Sequence, residues 1–130
     1  IRIFSQKVRS PRNPGRFILQ KLLGESGAVA ASIADYSSGL ALASQANMNF
    51  DIELATAAAT EIMLAEMKTM DYMGLKNDIE DILITLGEQY YLMRPVSKQD
   101  GLFLYYVLNR SSSNLALARR ALLNAEKSLN

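Results

Sequence analysis

The 130-residue sequence contains no histidine, no cysteine and no tryptophan, and it has only three prolines. Without cysteine the chain can form no disulfide, which is typical of a protein kept in the reducing cytoplasm. A metal site would then need converging carboxylates, and we interpret the one tight acidic group, Asp78, Glu80 and Asp81, as a solvated entry into a strand. No apolar run reaches the about 20 residues that span a bilayer. We therefore expect no catalytic, metal or cofactor site and predict that the protein is not an enzyme.

The net charge of +1 hides a strong asymmetry along the chain. Residues 1–24 hold six basic side chains and no acidic one, while the remainder holds eight basic and thirteen acidic side chains, a balance of −5. Two prolines, an asparagine and a glycine interrupt helix and strand before residue 16. We therefore predict a basic, flexible arm over residues 1–15 and one folded domain over residues 16–130. The arm could meet an anionic membrane surface, but no zinc spacing or aromatic–basic interleaving indicates nucleic acid.

Apolar periodicity predicts eight elements in the order α-β-β-α-β-β-β-α. The predicted helices are 16–24, 51–73 and 115–129, and the predicted strands are 27–35, 40–46, 79–86, 89–96 and 102–108. The last strand, LFLYYVL, has no polar alternation, so we place it centrally with both faces covered. For the helix starts, we expect Asn49 or Asp51 to cap the second helix and the serines at 111–113 to cap the third. The fold class is α+β: a five-stranded, mostly antiparallel sheet with the long helix on one face and the terminal helices on the other.

One helix cannot cover its whole face of such a sheet. A helix is about 10 Å wide, whereas five strands lie about 4.8 Å apart. The uncovered apolar area favours a second copy, whose strand at 79–86 would pair with its twin and remove an exposed edge. We predict a two-fold homodimer whose interface contains Ala55, Ala59, Ile62, Ile82 and Ile84.

Methionine is concentrated in the long helix, which holds four of the six methionines. Such a stripe can fill gaps in a core, or it can adapt to a binding partner. Both interpretations remain open, and both can hold for different residues. As the partner-binding surface we predict Met63, Glu66, Met67 and Met70.

The C-terminal half carries a family resemblance. Residues 81–96 (DILITLGEQYYLMRPV) and 101–122 (GLFLYYVLNRSSSNLALARRAL) are the clearest part of a likeness that extends from about residue 27 to the end. The motifs are the pair Arg94-Pro95, the pair Asn109-Arg110 and the helix opening NLALAR. In these the chain resembles the bacterial branch of the roadblock family, the dynein light-chain-like group with a roadblock/profilin-like fold. The family pattern often has an acidic residue where Asn109 stands.

The resemblance implies a homodimer with a sheet continuous through its interface. It also implies a non-catalytic regulator or scaffold that binds a Ras-like small GTPase and modulates its nucleotide hydrolysis. Two alternatives stay open: a membrane-associated or polar scaffold that uses the basic arm, and a small-molecule sensor with a closed apolar cavity lined by methionine and tyrosine. Arg94 and Arg110 are either arginines supplied to a partner's phosphoryl transfer or ordinary paired arginines.

Overall fold

The computed structural model describes residues 14–75 and 79–130. The helices are α1 (Pro14–Leu23), α2 (Ile52–Tyr72) and α3 (Leu115–Leu129), and the strands are β1 (Ala28–Asp35), β2 (Leu40–Ala46), β3 (Ile82–Thr85), β4 (Gln89–Pro95) and β5 (Leu102–Asn109). This order confirms the predicted α-β-β-α-β-β-β-α. Helix α1 begins two residues before the predicted start, because proline suits the first turn of a helix. Apart from its last two residues, the predicted arm lies outside the described residues.

The five strands form one antiparallel sheet in the order β2-β1-β5-β4-β3. Strand β5 is central, and all of its residues up to Leu108 are buried, as its lack of polar alternation predicts. Strands β2 and β3 are the edges of the sheet. The sheet is therefore fully antiparallel, and both of its edges come from short or small-residue strands.

The helices divide into two layers. Helices α1 and α3 pack side by side on one face of the sheet, and α2 packs on the other. Tyr106 and Tyr105 show the alternation: Tyr106 enters the α1/α3 layer and its hydroxyl donates to the carbonyl of Leu22, while Tyr105 faces α2. The predicted placement of the long helix and the terminal helices is confirmed. Among the described helices, none combines the length and the apolar character that a bilayer crossing requires.

The N-cap predicted for α2 is confirmed, whereas the N-cap predicted for α3 is wrong. Asp51 caps α2, since its Oδ1 accepts from the amide of Leu54 at 3.1 Å. In α3 the cap is Asn114, whose Oδ1 accepts from the amide of Leu117 at 3.1 Å. The serines at 111–113 therefore do not cap this helix, because they precede the position from which a side chain reaches the free amides.

Candidate functional site

Helix α2 is held against the sheet by a stripe of buried side chains at helical spacing. The stripe consists of Ile52, Thr56, Ala59, Thr60 and Met63. It packs chiefly over β1 and β2. The small residues of β1 (AVAASIAD) allow the helix to approach the sheet closely. Helix α2 therefore covers the half of the sheet that contains β1 and β2.

A buried pair of hydroxyls fixes this position. Ser32 Oγ on β1 lies 2.8 Å from Thr56 Oγ1 on α2, and both side chains are fully buried. Thr56 Oγ1 donates its only proton to the carbonyl of Ile52 at 2.6 Å, so Ser32 is the donor to Thr56. Both groups are thus satisfied in a site where an unpaired hydroxyl would be costly.

The two flanks of α2 face different parts of the sheet. Gly39 lies in the β1–β2 turn, and a Cβ placed on it would be 3.8 Å from Thr60 Oγ1 and 3.9 Å from Ala57 Cα of α2. The flank of α2 that carries Ala57 and Thr60 therefore faces β2. Ala55 and Ile62 share the opposite flank, seven residues apart. They therefore face away from β2, above the half of the sheet formed by β4 and β3. The exposed fraction of Ile62 is 42%.

That half of the sheet is incompletely covered. Ile82 and Ile84 on β3 and Tyr91 on β4 are only half-buried, although they belong to the same apolar cluster as the stripe of α2. The ring of Tyr91 makes edge contacts with Phe50 at 6.4 Å and with Tyr105 at 5.8 Å between centroids. We call the set of Ala55, Ile62, Ile82, Ile84 and Tyr91 the open half-face. It is an apolar surface on a rigid support, beside an edge strand.

Strand β3 offers free backbone groups next to the open half-face. Among residues 14–75 and 79–130 it pairs with β4 alone, in the register Ile82 to Met93 through Thr85 to Tyr90. Its sequence, ILIT, has no proline, lysine or other charge that would discourage a second strand. The nearest charges stand just before the strand, where Asp81 pairs with Arg119 of α3 at 3.2 Å. The edge is thus available for pairing.

Four of the five residues predicted for a dimer interface lie in this open half-face. The fifth, Ala59, has an exposed fraction of only 3% and faces the sheet. Ala59, which was predicted for the interface, is thus buried within its own chain. The reason is that Ala59 follows Thr56 by three residues and so falls in the buried stripe.

The four residues predicted for partner binding differ in how far they are buried. Met63 is 0% exposed and fills the core beneath α2, so it cannot lie on an accessible surface. Glu66 is exposed, and Met67 and Met70 are half-buried. Of the two interpretations of the methionine stripe, the core interpretation holds for Met63, while Met67 and Met70 remain within reach of a partner.

Met67 and Met70 line a cleft at the C-terminal end of α2. The cleft has a volume of about 1150 Å³ and opens between α2 and the β4–β5 connection. Across it, the hydroxyl of Tyr36 donates to Asp100 Oδ1 at 2.9 Å. Partial burial and then this hydrogen bond raise the pKa of Tyr36 above its ordinary value of 10.0. The cleft is open and lined by charged as well as apolar side chains, unlike the closed apolar cavity that the sensor hypothesis predicts.

Arg94 is a structural arginine. Its Nε donates to Glu126 Oε1 of α3 at 2.6 Å, and its Nη1 donates to the carbonyl of Glu80 at 3.1 Å. The amide and hydroxyl of Ser97 donate to Glu126 Oε2 at 3.0 and 2.7 Å, and Asn130 Nδ2 donates to the same oxygen at 3.1 Å. Burial alone would raise the pKa of Glu126, but the hydrogen bonds from Ser97, Arg94 and Asn130 lower it to about 2. This network ties β4 and the β4–β5 connection to α3.

Arg110 is likewise engaged within the chain. Its Nη1 donates to the carbonyl of Leu86 at 2.8 Å, and its guanidinium lies 5.5 Å from the ring centroid of Tyr90. Both arginines that were open to a role in phosphoryl transfer thus stabilise the β3–β4 hairpin and its neighbours. The ordinary, paired interpretation fits their geometry.

Sequence reasoning missed several exposed apolar residues of α2. Leu54 is 68% exposed and Leu64 is 43% exposed, and both lie outside the predicted surfaces. Tyr91 also belongs to the open half-face without having been predicted there. Its position opposite Ile84 in the β3–β4 pairing is the signal that would have identified it.

Comparison with solved structures identifies this architecture. The structure superimposes on a Roadblock/LC7 domain from Streptomyces avermitilis with a TM-score of 0.76 and 13% identity, covering 88% of this chain and 92% of that one. It superimposes on MglB of Myxococcus xanthus with a TM-score of 0.79 and 15% identity, covering 92% and 94%. For the gliding protein MglB of Thermus thermophilus the values are 0.74 and 14%, with 87% and 83% covered.

By sequence, no protein-family model matches the chain and no curated protein matches it either. The likeness at 13–15% identity is therefore one of fold. It agrees with the roadblock resemblance of the C-terminal half and with every element of the predicted order. The chain has the fold of the Roadblock/LC7 domain, and its structure is similar to those of the MglB proteins.

Proposed function

We propose that the protein is a homodimeric, non-catalytic regulator or scaffold that binds a Ras-like small GTPase and modulates its nucleotide hydrolysis. One observation carries the proposal: α2 covers β1 and β2 and leaves an apolar half-face open beside the unpaired edge of β3. Such a surface, supported by a rigid sheet, is typical of a site that binds another protein.

Pairing of two β3 strands would satisfy the free edge and bring the two open half-faces together, so that side chains such as Ile82 and Ile84 gain cross-strand neighbours. Antiparallel pairing about a two-fold axis extends the sheet through the interface and joins the two open half-faces into one apolar surface between the two α2 helices. Complete burial of a side chain such as Ile82 or Ile84 contributes about 1.5–3 kcal/mol. Both are half-buried already, so we expect about 1 kcal/mol from each in each copy, in addition to the new backbone hydrogen bonds.

The partner would bind on the side of the dimer that carries the two α2 helices. Glu66, Met67 and Met70 lie at the C-terminal end of this surface, and Leu64 adds an exposed apolar side chain. The roadblock resemblance of the sequence supports a Ras-like GTPase as the partner. The fold likeness to MglB, which one structure describes as a gliding protein, supports a role in a motility or polarity system.

The experiment is a binding and hydrolysis assay with a Ras-like GTPase encoded in the same genomic neighbourhood. We expect the GTP-loaded form to bind and its hydrolysis rate to change. Glu66→Lys should weaken binding at least about 10-fold by placing a like or unpaired charge in the interface. Lys127→Glu, on the exposed surface of α3, is the matched control and should leave binding unchanged. No binding and no change in hydrolysis would refute the proposed partner.

A further inference from the structure

The two faces of the molecule carry opposite charge. Helix α2 and its cap hold five acidic residues (Asp51, Glu53, Glu61, Glu66 and Asp71) and one basic residue, Lys68, a balance of −4. Helices α1 and α3 hold five basic residues (Arg16, Lys21, Arg119, Arg120 and Lys127) and one acidic residue, Glu126, a balance of +4. Glu126 is buried against Arg94, and Arg119 pairs with Asp81. The exposed side chains of Lys21, Arg120 and Lys127 make the surface of these two helices basic.

Exposed apolar side chains stand among these cations. Phe17 on α1 is 60% exposed and Leu117 on α3 is 55% exposed, and they form the two rims of a cleft of about 470 Å³ between the helices. Lys21 Nζ lies 5.3 Å from the ring centroid of Phe17, and Arg120 lines the opposite rim. One carboxylate, that of the half-buried Glu25, also lines the cleft. We call this surface the basic face.

Dimerisation would place two basic faces side by side. This step depends on the proposed function. Antiparallel edge strands related by two-fold symmetry have their axis perpendicular to the sheet, so both copies present α1 and α3 on the same side. The dimer would then have one broad basic side, with a charge of +8 from these helices, and one acidic side formed by the two α2 helices. A partner on α2 would leave the basic side free.

We propose that the basic face binds the surface of an anionic lipid membrane. Basic side chains near such a surface each strengthen binding, and interspersed aromatic and leucine side chains enter the boundary between headgroups and acyl chains. In this arrangement the side chains of Phe17 and Leu117 enter the boundary between headgroups and acyl chains, while Lys21 and Arg120 contact lipid phosphates.

The test is co-sedimentation of the full-length protein with vesicles of phosphatidylcholine alone or with phosphatidylglycerol added. We expect binding only to the vesicles that contain phosphatidylglycerol. Binding should be lost near 1 M salt, where charges are screened beyond about 3 Å. The double variant Lys21→Gln/Arg120→Gln should bind about 25-fold more weakly, because each basic side chain contributes a factor of about 5.

Two controls locate the interaction. Lys68→Gln, on α2, removes one cation from the acidic side and should change vesicle binding less than about 2-fold. Replacing the four basic residues that precede Pro14 by glutamine tests the alternative that the N-terminal arm alone is responsible. Binding that survives Lys21→Gln/Arg120→Gln but disappears in the arm variant would overturn the proposal.

Two further outcomes would also overturn it. One is the absence of binding to vesicles that contain phosphatidylglycerol. The other is retention by an immobilised acidic helical peptide without any vesicle binding, which would indicate a protein partner instead. The assay contains no GTPase, so a negative result here leaves the proposed function untouched. Likewise, a failure of GTPase binding does not change the interpretation of the vesicle assay.

Discussion

Replacing Glu126 by glutamine removes the carboxylate that joins β4, the β4–β5 connection and α3. The pKa of Glu126 is lowered from 4.5 to about 2, so its ionised form is favoured by folding. At 1.36 kcal/mol per pKa unit this corresponds to about 3 kcal/mol of stability at pH 7. Breaking a buried ion pair typically costs about 3–5 kcal/mol, which agrees with that value. We expect Glu126→Gln to lower the free energy of unfolding by about 3 kcal/mol at neutral pH.

The pH dependence is the sharper part of this prediction. Because the folded-state pKa is lowered, the contribution is complete well above pH 4.5 and is lost as the pH falls toward 2. The difference between the wild type and Glu126→Gln should fall from about 3 kcal/mol at pH 7 to about 2 at pH 3.5 and below about 1 at pH 2.5.

The assay is urea unfolding of both proteins at one fixed protein concentration, since a dimer's stability depends on concentration. Asp81→Asn breaks the more exposed pair with Arg119, whose side chain is 43% exposed, and serves as the control with an expected loss below about 1 kcal/mol. A loss below about 1 kcal/mol for Glu126→Gln, or a difference that does not change with pH, would refute this reasoning.

Three further substitutions test the backbone geometry and packing around the sheet. Gly27→Ala should lower the free energy of unfolding by more than about 2 kcal/mol, because Gly27 has a φ of 81° and a Cβ there would lie 2.7 Å from Ser113 Cβ. Gly74→Ala, with a φ of 66° and open space around it, should cost only about 1 kcal/mol, and equal losses at the two sites would contradict the steric argument. Tyr106→Phe should cost about 0.5–1.5 kcal/mol in thermal or urea unfolding, because it removes the buried hydrogen bond from the hydroxyl to the carbonyl of Leu22, which keeps the amide of Glu25 as its other donor at 3.2 Å. An unchanged stability would contradict a contribution of this hydrogen bond to folding.

Much of the fold was predictable from the sequence. The uninterrupted apolar run LFLYYVL predicted the central strand, because only a strand covered on both faces lacks polar alternation. The strands predicted at 27–35 and 40–46 form the antiparallel pair β1–β2. These predictions succeed because the polarity of successive side chains indicates directly whether a strand is buried.

The parts that could not be predicted depend on orientation within an element. Met63 and Met67 both lie on the apolar side of α2, and methionine tolerates either a core or a surface, so spacing did not show that only Met63 is buried. The cap of α3 depended on a shift of one residue between serine and Asn114. The basic face was also hidden, since its cations come from two helices that are adjacent only in the folded chain.

The central claim is that β3 pairs with the β3 of a second copy and thereby joins the two open half-faces. Sedimentation equilibrium over about 1–100 μM tests it most directly, with Ile82→Asp on β3 compared with Leu40→Asp on the opposite edge, β2. We predict that the wild type and Leu40→Asp sediment at twice the chain mass of 14.4 kDa and that Ile82→Asp sediments as a folded monomer. A wild type that stays monomeric at the highest concentration, or a dimer that only Leu40→Asp disrupts, would contradict the account.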